Sequence, residues 1–206
     1  MAFQSVWYYS DIPEDVVDII EKDLSIKFDP QMGDSRLMGD ALNKDKRNSQ
    51  NAWVPTNHWL GGFMWHYIER ANRENFLYDL RCIDGESMQY TRYDVGQFYS
   101  WHNDAGITGA YKPATVGNRM DGRANDFLNE NTELVRKLSF VLQLSDADDY
   151  EGGNLQLLDE GGKSYFAPRK RGTVILFDSR TQHRVLPVKA GLRKSIVGWT
   201  VGPRWK

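Results

Sequence analysis

Apolar positions in the first part of the chain recur at helical steps. Val16, Val17, Ile19 and Ile20 supply an apolar face to a helix that Asp11 and Pro13 open and that runs to about Leu24. Trp59, Leu60, Phe63, Met64, Tyr67 and Ile68 recur every three or four residues and predict a second helix from Thr56 to about Asn75. Gly61-Gly62 weakens its first turns. Ahead of both, Phe3 to Tyr9 is rich in β-formers. From Ser87 the pattern changes to short β runs punctuated by Gly, Asn or Asp: Met88 to Tyr93, Leu138 to Leu144, Asn154 to Leu158, Thr173 to Phe177, His183 to Pro187 and Ser195 to Val201. Gly152-Gly153 and Gly161-Gly162 bracket one run as hairpin turns. Helices first and many short strands later predict an α+β fold, its second part a double-sheet jelly roll or similar β-sandwich. Residues 1–206 are expected to form a single domain, with mixed helical support over 1–86 and the jelly-roll core over 87–203.

One segment fits neither period. Ala105 to Glu133 holds four glycines, Pro113 and a scatter of Asn, Asp and Arg. A connection of that length is longer than a compact domain needs, which suggests a functional loop. It is read as a lid over the substrate, with Tyr111, Arg119 and Arg123 reaching it; the plain alternative is a solvated insertion.

Composition narrows the classes. With 40% hydrophobic and 26% charged residues, the 206-residue chain can bury a core. Its formal charge of −2 argues against a nucleic-acid partner. The lone Cys82 excludes an intrachain disulfide or a multi-cysteine zinc site, and reads as a small buried residue. No run spans a bilayer and no signal peptide is visible, so a cytoplasmic location is expected, with no membrane partner.

The chemistry sits in His102, Asp104 and His183. Two residues apart on a strand, His102 and Asp104 point to one side and can grip one metal ion. His183, at the start of a later strand, is the obvious third ligand. Two imidazoles and one carboxylate suit iron(II) with open positions on one face, and zinc can use the same set. Alone, the H-x-D pair is better explained by polar residues at a strand end. Ten residues after His183 comes Arg193, which can take a carboxylate bidentately, and Ser195 shares its face of the strand. Trp199 continues that face, where it can line a pocket and stack on a substrate or simply pack in the core. Trp101 reads as core, Arg169-Lys170-Arg171 as a solvated turn, and His58 and His66 as helix surface or core edge.

The phrase from Tyr93 to Asp104, the Tyr150-Glu151-Gly152-Gly153-Asn154-Leu155 turn, and His183 to Val188 followed by Gly191-Leu192-Arg193 resemble the 2-oxoglutarate and iron(II)-dependent dioxygenase superfamily, in its prolyl 4-hydroxylase-like branch with bacterial and phage members. The likeness runs roughly from Met88 to Val201. It implies a double-stranded β-helix core with N-terminal helices packed on one side. It also implies iron(II) at His102, Asp104 and His183, 2-oxoglutarate as cosubstrate, dioxygen and, as an option, ascorbate. Arg193 would pair with the distal carboxylate of 2-oxoglutarate, and Tyr93 stands where the branch has a cosubstrate-binding tyrosine. Many members carry a tyrosine where this chain has Gln143, which can still donate a hydrogen bond. Lys194 would face away from Arg193 by alternation.

The implied reaction is oxidative decarboxylation of 2-oxoglutarate to succinate and carbon dioxide, coupled to hydroxylation of an unactivated C–H bond. The implied substrate is a prolyl residue in a peptide or protein. The alternatives are an oxygenase for a free amino acid or other small molecule, a cupin-like metalloenzyme without 2-oxoglutarate, and a binding module with a degenerate site. Arg193 and Ser195 argue against the cupin reading, and the intact triad against the binding module.

Overall fold

The structure, a computed structural model, describes residues 4–37, 41–84, 87–105, 134–159 and 161–205. The strands among them are β1 (Val6–Tyr9), β2 (Gly33–Asp34), β3 (Arg47–Asn48), β4 (Gln50–Pro55), β5 (Cys82–Ile83), β6 (Ser87–Tyr93), β7 (Phe98–His102) and β8 (Leu134–Gln143). They continue with β9 (Tyr150–Gly152), β10 (Leu155–Leu158), β11 (Ser164–Phe166), β12 (Val174–Asp178), β13 (His183–Val185), β14 (Val188–Gly191) and β15 (Arg193–Pro203). Helix α1 (Glu14–Phe28) follows β1, and α2 (Trp59–Ala71) follows β4.

An eight-stranded antiparallel sheet runs β1-β12-β8-β15-β6-β4-β2, with β5 also on β15. A five-stranded sheet runs β11-β10-β13-β7-β3, and β14 pairs β9. Alternation divides the large sheet's side chains between two cores. Leu138, Phe140, Leu142, Val174, Leu176 and Ile196 pack with the helices. Val141, Ile175, Phe177 and Tyr93 join Leu155, Leu157 and Val185 in a second cluster between the sheets. This is the α+β double-stranded β-helix, with both helices on one side.

Helix α1 starts behind Pro13, carries Glu14 and Asp15 in its first turn and Lys27 in its last, as the helix dipole favours. It runs four residues beyond Leu24, and its buried stripe is Val17, Ile20, Leu24 and Phe28. Ile19 falls off that stripe and is exposed. Helix α2 starts at Trp59, not Thr56, because His58 caps it: the Leu60 N–H donates to His58 Nδ1 at 3.3 Å. The His58 Nε2 reaches Asp23 on α1 at 2.8 Å, joining the two helices. A Cβ at position 61 would lie 2.2 Å from the Thr56 carbonyl oxygen, so a glycine there is what permits the first turn. Past Ala71 the helix widens into a π turn, Asn72–Phe76. No helix among the described residues is long and apolar enough to cross a membrane.

One of the two turn readings changes. Gly161-Gly162 does sit in the turn of the β10–β11 hairpin. Gly152-Gly153 does not make a hairpin: β9 pairs β14 and β10 lies in the five-stranded sheet, so this pair carries the chain from one ladder to another. Both residues have positive φ, 72° and 61°, a sequence of conformations that side chains resist.

The basic run at 169–171 is not a solvated turn. Arg171 is ion-paired with Glu14, Asp18 and Glu21 of α1, and its Nε donates to the Leu144 carbonyl at 2.9 Å. Arg169 donates to the carbonyls of Ala147 and Tyr150, both at 2.7 Å. Lys194 of β15 also pairs with Glu21, on the helix side of the sheet and away from Arg193. Burial alone would raise the Glu21 carboxyl, but its bonds to Lys194 and Arg171 outweigh that and hold it below the ordinary glutamate range. A depressed folded-state value stabilises the protein above the unfolded value, and the effect fades as pH falls through the folded one. Arg171→Leu is therefore expected to cost about 2–3 kcal/mol in denaturant unfolding near neutrality, the order of one hydrogen bond between charged groups, since Glu14 and Asp18 are largely exposed. The difference from wild type should narrow in acid.

Candidate metal centre

Strands β7 and β13 are neighbours, and their register sets His102 directly opposite His183. The two ring centroids are 4.1 Å apart. Asp104 lies beyond the end of β7 and not on it. Its position is held by backbone instead: the N–H groups of Asp104 and Ala105 donate to the Ser179 carbonyl at 2.8 and 3.0 Å. The carboxylate reaches both imidazoles, with Oδ1 3.7 Å from His102 Nε2 and Oδ2 3.4 Å from His183 Nε2. Donor atoms of the three side chains all lie within 4.8 Å of one another.

Each ring is oriented from behind. The His102 Nδ1 lies 2.8 Å from the Ser100 carbonyl, and the His183 Nδ1 lies 2.9 Å from the Thr181 carbonyl. A carbonyl only accepts, so Nδ1 carries the hydrogen on both rings and the Nε2 lone pairs face inward. Burial and the neighbouring His183 push the His102 imidazole down to about 4, against the pull of Asp104. Burial would raise Asp104, but the two histidines and the Ser139 hydroxyl outweigh it and keep the carboxyl below its usual range. Two neutral nitrogens and one carboxylate, all aimed at one point, match the donor set for a divalent iron with open positions, and equally for zinc.

Residues that the sequence reading did not single out complete this end of the fold. Ser139 of β8, set between apolar Leu138 and Phe140, donates to Asp104 Oδ2 at 2.6 Å. Tyr99 stacks on His102 with centroids 3.5 Å apart, and burial raises its phenol to about 12. Arg136 donates to the Asp104 carbonyl at 3.3 Å and is ion-paired with buried Asp84. A register shift in the β8–β15 ladder lies beside it.

A second group lies further along the same strands. Arg193 is opposite Tyr93, and Ser195 is opposite both Gln143 and Thr91. Arg193 is only 2% exposed. Its Nη2 donates to Gln143 Oε1 at 3.0 Å, its Nη1 lies 3.4 Å from Ser195 Oγ, and its Nε has no partner among the described residues. No carboxylate among the described residues pairs with this guanidinium. Its carbon Cζ is 5.4 Å from the Tyr93 ring centroid. The buried Thr91 hydroxyl is likewise unpartnered among the described residues. Ser139 and Gln143 are four residues apart on β8, so the two groups stand about 13 Å apart along the strand. Val141 and Val197, opposite one another, lie between them.

Trp199 is buried opposite Ser139, with the Arg136 guanidinium 4.0 Å over its ring. It borders the triad end but stands beneath Arg136. Trp101 is not core: it is 38% exposed and capped by Arg184. His58 caps α2 and His66 lies on it, where His66 packs edge-on against Tyr67. Tyr111, Arg119 and Arg123, with nearly all of the 105–133 loop, lie outside the described residues.

A family model described as the 2OG-Fe(II) oxygenase superfamily matches residues 88–201. A PKHD-type hydroxylase of Synechococcus elongatus is 32% identical over 155 residues, covering 73% of this chain. The chain spans 59% of that relative's length. A Pseudomonas putida prolyl-4-hydroxylase superposes with a TM-score of 0.68 at 19% identity, covering 97% of this chain and 93% of that one. A Trichoplax adhaerens prolyl hydroxylase, solved with a hypoxia inducible factor peptide, gives 0.67 at 18%, covering 95% and 83%.

Proposed function

Because the chain belongs to the 2OG-Fe(II) oxygenase superfamily, we propose that it hydroxylates an unactivated C–H bond of a prolyl residue in a peptide or protein. The observation that carries the cosubstrate assignment is Arg193: a buried cation without an anionic partner among the described residues, its Nε unused. An uncompensated charge in such a setting is costly unless an anion joins it. Its place along the strand from the triad suits a dicarboxylate that reaches the metal end with its other carboxylate.

In this reading His102 and His183 hold iron(II) through Nε2 and Asp104 through its carboxylate. The Ser100 and Thr181 carbonyls keep both imidazoles in the ligating tautomer, and Ser139 keeps the carboxylate turned inward. Arg193, with Ser195 and Tyr93, binds the distal carboxylate, and the Val141–Val197 pair offers an apolar surface between the two ends. The metal, when bound with 2-oxoglutarate and dioxygen, supplies the oxidising power for hydroxylation. Trp199, bordering the triad, is the described residue assigned to the substrate side. The prolyl substrate rests on the resemblance to prolyl hydroxylases and on the PKHD-type relative.

The test is succinate formation by the iron-loaded protein with 2-oxoglutarate and dioxygen, challenged with proline-containing peptides. The reading expects peptide-stimulated succinate and a peptide heavier by one oxygen atom, located on proline. Stimulation by free amino acids but not by peptides would replace the substrate. No conversion of 2-oxoglutarate under any condition would favour the cupin-like alternative.

A further inference from the structure

We propose that Gln143 is a positioning residue that acts through Arg193, and not a donor to the cosubstrate. The inference rests on the assignment of Arg193 to the distal carboxylate. Gln143 ends β8 and is 2% exposed. Its Oε1 accepts from Arg193 Nη2 at 3.0 Å, and its Nε2 donates to the Pro168 carbonyl at 3.3 Å. A guanidinium only donates and a carbonyl only accepts, so these two partners fix which way the amide points. The end facing Arg193 is therefore an oxygen, which cannot bond to a carboxylate. The donor end is turned towards the backbone at Pro168.

The consequence lies in the guanidinium. Gln143 holds Nη2 and Ser195 approaches Nη1, which leaves Nε without a partner among the described residues. Nε is one prong of the two-pronged edge with which arginine takes a carboxylate. An amide holds the fork in place without cancelling its charge. A carboxylate at the same position would hold it and neutralise it. Gln143 thus keeps Arg193 both oriented and electrostatically free, with the Pro168 carbonyl as the fixed point behind it.

Calorimetric titration of 2-oxoglutarate into the iron(II)-loaded protein without dioxygen tests this on wild type, Gln143→Met, Gln143→Glu and Arg193→Met. Gln143→Met should raise Kd about tenfold, the effect of one hydrogen bond, and KM for 2-oxoglutarate should rise with it while iron affinity holds. Gln143→Glu, nearly the same size, should raise Kd about a hundredfold by pairing with the guanidinium. In an Arg193→Met background, where weak binding is followed by ligand-observed NMR, Gln143→Met should add nothing. A further tenfold loss there would mean direct contact with the cosubstrate and would overturn the proposal. So would wild-type affinity in Gln143→Met or Gln143→Glu. If wild type and Arg193→Met bind 2-oxoglutarate equally, or neither binds it, the Arg193 assignment itself fails and the positioning role falls with it.

Discussion

His183→Ala will abolish stoichiometric iron(II) binding at micromolar protein, and with it all turnover. The ring stands opposite His102 with Nε2 turned inward, and removing it leaves one imidazole and one carboxylate. Asp104→Asn should be nearly as severe. It preserves volume and the Ser139 contact but removes the negative charge that reaches both inward-facing nitrogens. Loss of an outer-shell partner alone typically weakens metal binding about 10–100-fold, so loss of a ligand should exceed the upper figure. Metal titration followed by calorimetry is the measurement, with thermal unfolding to confirm that each variant folds. His66→Ala, on α2, serves as the control and should bind iron normally. A His183→Ala protein that still takes up one iron per chain would remove the triad from consideration.

Arg193→Met will raise the 2-oxoglutarate requirement by orders of magnitude and leave iron binding intact. At 2% exposure the guanidinium is screened from water, so losing a charge-assisted partner should cost roughly 2–5 kcal/mol. That corresponds to about 30-fold to several thousandfold in Kd. Methionine keeps a long unbranched side chain opposite Tyr93 while removing the charge. The Kd for 2-oxoglutarate and the affinity for iron(II), measured on the same preparation, decide the matter. Unchanged 2-oxoglutarate affinity would move the distal carboxylate to another cation.

Whatever depends on backbone period was legible in the residues. Alternation along β8, β12 and β15 separates the helix-facing core from the one between the sheets, because successive strand side chains point to opposite faces. The same rule puts Arg193, Ser195 and Trp199 on the inner row and sends Lys194 to Glu21 on the other side. The two helices were visible as apolar stripes, and His102, Asp104 and His183 stood out because few residue types can bind a metal. Their grouping was an expectation that spacing alone could not establish.

What only the tertiary structure decided are the contacts between residues far apart in the chain. Asp104 is held by Ser179 and Ser139, and Ser139 is 35 residues away. A serine between Leu138 and Phe140 has no partner for its hydroxyl until the fold brings the end of β7 across to it. The basic run at 169–171 reads as surface because arginine is usually solvated, yet α1 lays three carboxylates over Arg171. Gly152-Gly153 carries a turn signal that is correct about backbone conformation. It says nothing about which ladder the next strand will join, since pairing is set by the packing of whole sheets. Gln143 shows the same division: its inward-facing position follows from strand period. Which end of its amide meets Arg193 depends on the Pro168 carbonyl, brought up by a segment 25 residues further along the chain.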